Sequence, residues 1–179
     1  MTDNLPVLAD LYDQKQIEQI KKQNDLNIIL NSEPRKEWIK THPFAKCKYI
    51  PIEIVEYLLT SIFIDWWVEI RKSEIMANSV VLTIRLHYKN PINGEERYQD
   101  GIGAAPLRTN KGAKATDFTE IQDSSVMTGA PAAKSFAIKD AAELLGKLFG
   151  KDLNRRDTMS YESLKKKSVD VSGIKPIEE

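Results

Sequence analysis

The hydrophobic period of the chain changes at Trp66, and that change fixes what its middle can fold into. Upstream, Ile54, Val55, Leu58, Leu59 and Ile62 recur at three- and four-residue intervals behind Pro51, the pattern of a helix with one apolar face. From Trp66 to Ile75 the residues alternate, with Trp66, Val68 and Ile70 on one side and Trp67, Glu69 and Arg71 on the other. Ser79 to Tyr88 is β-branched and aromatic in the manner of a strand. Asn90-Pro91-Ile92-Asn93-Gly94 then supplies turn chemistry before a third run, Glu95 to Ile102, so these last two strands should pair antiparallel.

Three strands in a meander bury one face, and a helix must cover it. The Ala-rich segment from Ala132 to Phe149 is the candidate, packing through Phe136, Ala137, Leu144 and Leu148 and ending at Gly150. The expected fold is α+β: a β-β-β-α core whose antiparallel sheet is covered by a helix, with N-terminal helices before it and a flexible C-terminal tail after it. Leu11 to Gln23 carries Ile17 and Ile20 at helical spacing, a narrow stripe that suits the core or a neighbouring subunit. Leu26 to Leu30 is a separate short apolar run, and Pro34 and His42-Pro43 predict loops and short helices up to the core. Ala104 to Pro131 reads as one long polar loop. Residues 1–156 form a single domain on this reading, and 157–179, with Lys165-Lys166-Lys167 and little to bury, a flexible basic tail.

Charge and motifs narrow the function by exclusion. Over 179 residues, 26 basic and 26 acidic side chains cancel, so only a local cluster could attract a polyanion. A lone Cys47, with no signal peptide and no apolar run near the length of a membrane span, predicts a cytoplasmic protein without a membrane partner. Gly101-Ile102-Gly103 lacks the third glycine of a dinucleotide loop and opens no helix, and Gly146-Lys147-Leu148-Phe149-Gly150-Lys151-Asp152 has the wrong spacing for a phosphate loop and no hydroxyl after its lysine. His42, Cys47 and His87 make neither a closed zinc set nor a nucleophile with its base. Asp100, Asp117, Glu120 and Asp123 lack the pattern that would anchor a nuclease metal. No cofactor, no metal and no enzymatic activity are expected.

Tyr49-Ile50-Pro51 with its helix, Trp67 in the first strand, Val81 to Leu86 in the second, Tyr98-Gln99-Asp100-Gly101-Ile102-Gly103 in the third, Ala133 to Ala141 on the last helix and Leu148-Phe149-Gly150 stand in an order that resembles the Rad52-type single-strand annealing proteins. The resemblance covers Tyr49 to Gly150, and the chain's length fits the short, phage-like members. It implies single-stranded DNA binding and cofactor-free annealing of complementary strands, in homologous recombination or phage DNA repair. It also implies a ring or filament of subunits, with a single-strand-binding protein or an exonuclease as a further partner. Of the family's basic groove positions, those on the last helix fall on Glu143, Leu144 and Lys147, of which Lys147 alone is basic, and another falls on Ile54. The candidate DNA contacts are therefore the local cluster Arg108, Lys111, Lys114, Lys134, Lys139, Lys147, Lys151, Arg155 and Arg156. The alternative is a non-catalytic protein-interaction module on the same fold.

Overall fold

The computed structural model describes residues 12–155 apart from Phe44 and Ala115. Arg156 and the expected tail over 157–179 lie outside the described residues. Helix α1 spans Gln14–Leu30, opened by a capping box in which the Asp13 carboxylate accepts from Gln16 N–H and the Gln16 side chain accepts from Asp13 N–H. It continues through the Leu26 to Leu30 run, which is not a separate segment, because Leu26 and Leu30 are the residues it buries. A two-stranded antiparallel ribbon follows, β1 (Lys40–Thr41) and β2 (Lys48–Tyr49), then helix α2 (Ile52–Phe63).

The period change at Trp66 becomes the start of β3 (Trp66–Met76), followed by β4 (Ser79–Lys89) and β5 (Glu96–Pro106), a three-stranded antiparallel sheet in chain order. Strand β5 runs four residues past the expected Ile102. In β3 the pairing slips between Ile70 and Lys72, leaving Arg71 as a bulge. The slip changes the phase of the alternation, so that Ile75, opposite buried Val80, faces the same side as Ile70, opposite buried Ile84. Between α2 and β3, the Phe63 carbonyl accepts from Asp65 N–H at 2.6 Å around Ile64, whose φ of 66° and ψ of −52° make a γ-turn on a β-branched residue.

Helix α3 (Ser125–Glu143) packs on β4 and β5. It begins seven residues before the expected Ala132 and ends before Leu144, with Pro131 inside it. Its sheet-facing ridge is Ser125, Gly129, Ala133, Ala137 and Ala141, all buried and spaced by four. The expected contacts through Phe136 and Leu144 are not made: these side chains are 42% and 51% exposed. The reason is proximity. A Cβ on Gly101 would lie 2.6 Å from Ala141 N and 2.8 Å from Ala141 Cβ, and one on Gly103 would lie 2.9 Å from Ala137 Cα and closer still to the Ala133 carbonyl. The helix backbone sits directly on the two glycines, and at that distance only small side chains fit between. Asp140 accepts from the Ile102 N–H at 2.9 Å, which satisfies one donor on the free edge of β5.

The core under α3 is closed by Leu59, Val55, Ile84, Leu86 and Phe149, all essentially inaccessible. Leu148, buried as expected, and Phe149 lie on a 3-10 turn (Lys147–Phe149) beyond the helix.

Candidate nucleic-acid interface

The ribbon β1–β2, the start of α2 and one flank of α3 enclose an open groove of about 660 Å³. Lys40, Thr41, Tyr49, Pro51, Ile52, Glu53, Ala132, Ser135, Phe136 and Lys139 line it. Lys40 and Tyr49 are partners in the ribbon's register and therefore share a face. The opposite wall comes from α3, where Phe136 and Lys139 stand three residues apart and meet over one turn. The Lys139 ammonium lies 5.0 Å from the Tyr49 ring centroid and 4.6 Å from that of Phe136. Burial against these rings pushes the Lys139 amine below the ordinary lysine range, against the opposing pull of Glu143, Cys47 and Glu53. On the same helix Glu143 is pushed up, first by burial and then by Asp140.

The ribbon is tied to the end of the domain. Asn154 accepts from Lys48 N–H at 2.7 Å and donates to the Lys48 carbonyl at 2.8 Å, which sets Arg155 beside Lys48. Arg155 pairs with Asp152 at 3.3 Å, and Lys151 is exposed on the same turn. Of the predicted cluster, Lys139 lines the groove, and Arg155 follows the residue clasped to Lys48 of the ribbon. Lys134 is exposed on α3 but does not line it. Arg108, Lys111 and Lys114 are exposed in the segment between β5 and α3, where Gln122 N–H donates to the Arg108 carbonyl and Thr109 bridges Ile121. They lie towards the other end of a helix about 28 Å long. Lys147 does not face a groove: it is 9% exposed, with its ammonium 3.8 Å from Glu33 and 3.7 Å from Asp152.

Sequence reasoning missed Lys40, Lys46 and Lys48. The signal was present, since residues 33–50 hold five basic side chains against two acidic ones, but it was diluted by the neutral whole. The face of the sheet that no described residue covers is different in kind. There Arg85 makes two hydrogen bonds to Asp100, at 2.7 and 2.9 Å, and lies 3.9 Å over the Tyr98 ring. His87 stacks on Trp67 at 4.9 Å between Glu69 and Glu96, and Lys89 pairs with Asp65. Arg85 holds the Asp100 carboxyl below its ordinary range, and Arg71 followed by His87 does the same for Glu69. The charges on this face are compensated in place.

Gly101-Ile102-Gly103 is explained as a seat for α3. Among the described residues no group of His, Cys, Asp and Glu could hold a metal ion, and no helix is long and apolar enough to cross a membrane. No protein-family model matches the chain, and no curated protein matches it closely enough to mark a relative.

Proposed function

We propose that the protein binds single-stranded DNA by its backbone in the groove between the ribbon and α3, and anneals complementary strands without a cofactor. The observation that carries this is the pairing of Lys40 and Lys139 with Tyr49 and Phe136 in one open groove, with Lys46 and Lys48 exposed on the same ribbon. Ammonium groups take phosphates irrespective of sequence, and exposed ring faces accept sugars and bases of any identity. A protein that anneals any sequence needs this kind of contact and not base-edge readout. Its place on this reading is the cytoplasm of a bacterial or phage-infected cell, in recombination or repair, beside a single-strand-binding protein or an exonuclease.

Self-association into a ring or filament belongs to the same proposal. Among the described residues β3 pairs only with β4, which leaves its outer edge without a partner strand there, and Ile70 and Ile75 beside it are 55% and 53% exposed. The test is fluorescence anisotropy of labelled oligonucleotides, with light scattering in parallel. Salt-sensitive binding of poly-T and mixed sequence, little competed by duplex, supports the reading; absence of single-strand binding at low salt ends it.

One observation favours the protein-interaction module. The uncovered sheet face is charge-compensated and presents Trp67, Tyr98 and Ile102, the last two 54% and 60% exposed, which suits a protein partner better than a polyanion.

A further inference from the structure

Strands β4 and β5 outrun α3. The helix ends at Glu143, and the sheet beyond it is closed by α1 together with Leu144 and Leu145. Tyr88 stands opposite Arg97 in the register and Leu86 opposite Gln99, so Tyr88, Arg97 and Gln99 share the covered face there. The closure leaves a cavity of about 160 Å³, with Leu26, Leu30 and Phe63 as its apolar wall. Three polar groups on the other walls have bonding capacity left over. The buried Asn90 amide donates to Gln23 Oε1 at 2.7 Å, and Gln23 Nε2 donates in turn to Asn27 Oδ1 at 3.3 Å, which leaves the Asn27 amide nitrogen as the unspent end of the chain. The Gln99 amide and the Tyr88 hydroxyl make no hydrogen bond among the described residues. Tyr88 is only 8% exposed, yet solvent still reaches its hydroxyl, which is not sealed as Ser125 Oγ and Asp152 Oδ1 are. A buried tyrosine ordinarily spends that hydroxyl on a partner.

We propose that this cavity binds one pyrimidine base. Uracil, thymine and cytosine carry carbonyl and N–H or amino groups side by side on a flat ring, and a primary carboxamide such as that of Gln99 meets such an edge with a donor and an acceptor at once. The Tyr88 hydroxyl and the Asn27 amide nitrogen, from the other two polar walls, are donors for a further ring carbonyl. Size sets the ring: a cavity of about 150 Å³ holds benzene, so this one takes a single six-membered heterocycle and is tight for a purine. Arg97 at the mouth is paired with Glu95 at 3.1 Å, so the entrance is close to neutral and suits an uncharged ring. Gln23 and Arg97 also line an adjoining cavity of about 290 Å³, where Tyr12, Gln16 and Gln19 offer hydroxyl and amide groups to a sugar. The site shares no lining residue with the ribbon groove and does not rest on the single-strand reading. A free nucleoside and a nucleotide of a strand present the same ring to it.

The full chain is titrated calorimetrically with uridine and with thymidine, and with ribose as a control, while a labelled oligo-dT and its baseless tetrahydrofuran counterpart are titrated by anisotropy. The expected result is one-to-one binding of a nucleoside and none of ribose. Gln99→Leu, which keeps the side-chain volume, and Tyr88→Phe, which removes one oxygen, should each weaken that binding by about threefold to tenfold, the worth of one hydrogen bond. Lys139→Ala should leave it unchanged. Tyr88→Phe keeps the test valid if Gln99→Leu folds poorly. If no free nucleoside binds but oligo-dT binds more tightly than the baseless strand, and the two variants abolish that difference, the base comes from a strand and the site stands. No nucleoside binding at millimolar concentration, with no base-dependent strand binding that the variants abolish, overturns the site. So does nucleoside binding that ribose matches or that neither variant weakens. Failure of the groove to bind DNA leaves the nucleoside titration to decide.

Discussion

Replacing Gly103 with Ala tests how α3 is seated. The added methyl would stand 2.9 Å from Ala137 Cα and nearer to the Ala133 carbonyl, so the obstacle is helix backbone, which cannot rotate away. Ordinary carbon contacts begin near about 3.5 Å, so the helix must lift by on the order of 1 Å along the ridge Ser125, Gly129, Ala133, Ala137 and Ala141. Over-packing of this kind costs about 1–3 kcal/mol, and rigid backbone on both sides places Gly103→Ala near the upper end. Against a total of about 5–15 kcal/mol that is a large fraction, equivalent to about 6–12 °C in Tm for a domain of this size. Gly101→Ala should behave alike, and the double variant should cost less than the sum because the first lift makes room for the second. Urea unfolding followed by circular dichroism reads the change. Without a helix above it, the same substitution would stabilise by about 0.4–1 kcal/mol through the unfolded chain. A neutral or stabilised Gly103→Ala would therefore refute the close seating of α3.

Further outcomes follow from named positions. Leu148→Ala should lose about 2–5 kcal/mol because Leu148 is 8% exposed, whereas Leu144→Ala, 51% exposed, should lose under about 1 kcal/mol in the same denaturant assay. Ile64→Gly should raise stability by up to about 1 kcal/mol, since the γ-turn strain is relieved and a side chain 78% exposed gives up little burial. Glu143 has a folded pKa raised above its ordinary 4.5, so the folded state binds the extra proton, and its contribution is present at low pH and lost as pH rises through that raised value. Thermal melts of Glu143→Gln across that range should show a shallower loss than wild type. Lys139 has the opposite linkage: its lowered pKa means that stability rises with pH between the folded value and 10.5, and Lys139→Met should flatten that rise.

The sheet was legible because strand character is written in side-chain type: β-branched Val80, Val81, Thr83 and Ile84 lie between turn residues. The bulge at Arg71 was not, because a slip of phase looks in sequence like a break in the alternation. The helix was mislocated for a physical reason. Large apolar residues are the ordinary sign of a buried face, but a helix that touches sheet backbone buries its smallest ridge and leaves Phe136 and Leu144 outside. Its first turns were concealed by Gly129 and Pro131. Gly129 lies against Leu107, where an added Cβ would approach the Leu107 Cδ2 at 2.9 Å, and the helix around Pro131 is retained by tertiary packing despite a missing backbone donor. For the site, Lys139, Lys151 and Arg155 were visible as local charge. Their link to Lys40, Lys48 and Tyr49 depends on the ribbon and on the Asn154 clasp across 106 residues, which no local pattern carries.

The salt dependence of single-strand binding tests the central claim most directly. Wild type and the Lys40→Ala, Lys48→Ala, Lys139→Ala triple variant are titrated with labelled poly-T by anisotropy at several salt concentrations, with circular dichroism to verify the fold. Three lost phosphate contacts should lower the slope of log affinity against log salt by about 2, and a mixed sequence should give the same change. An unchanged slope in a folded triple variant would contradict the groove as the place where the strand lies.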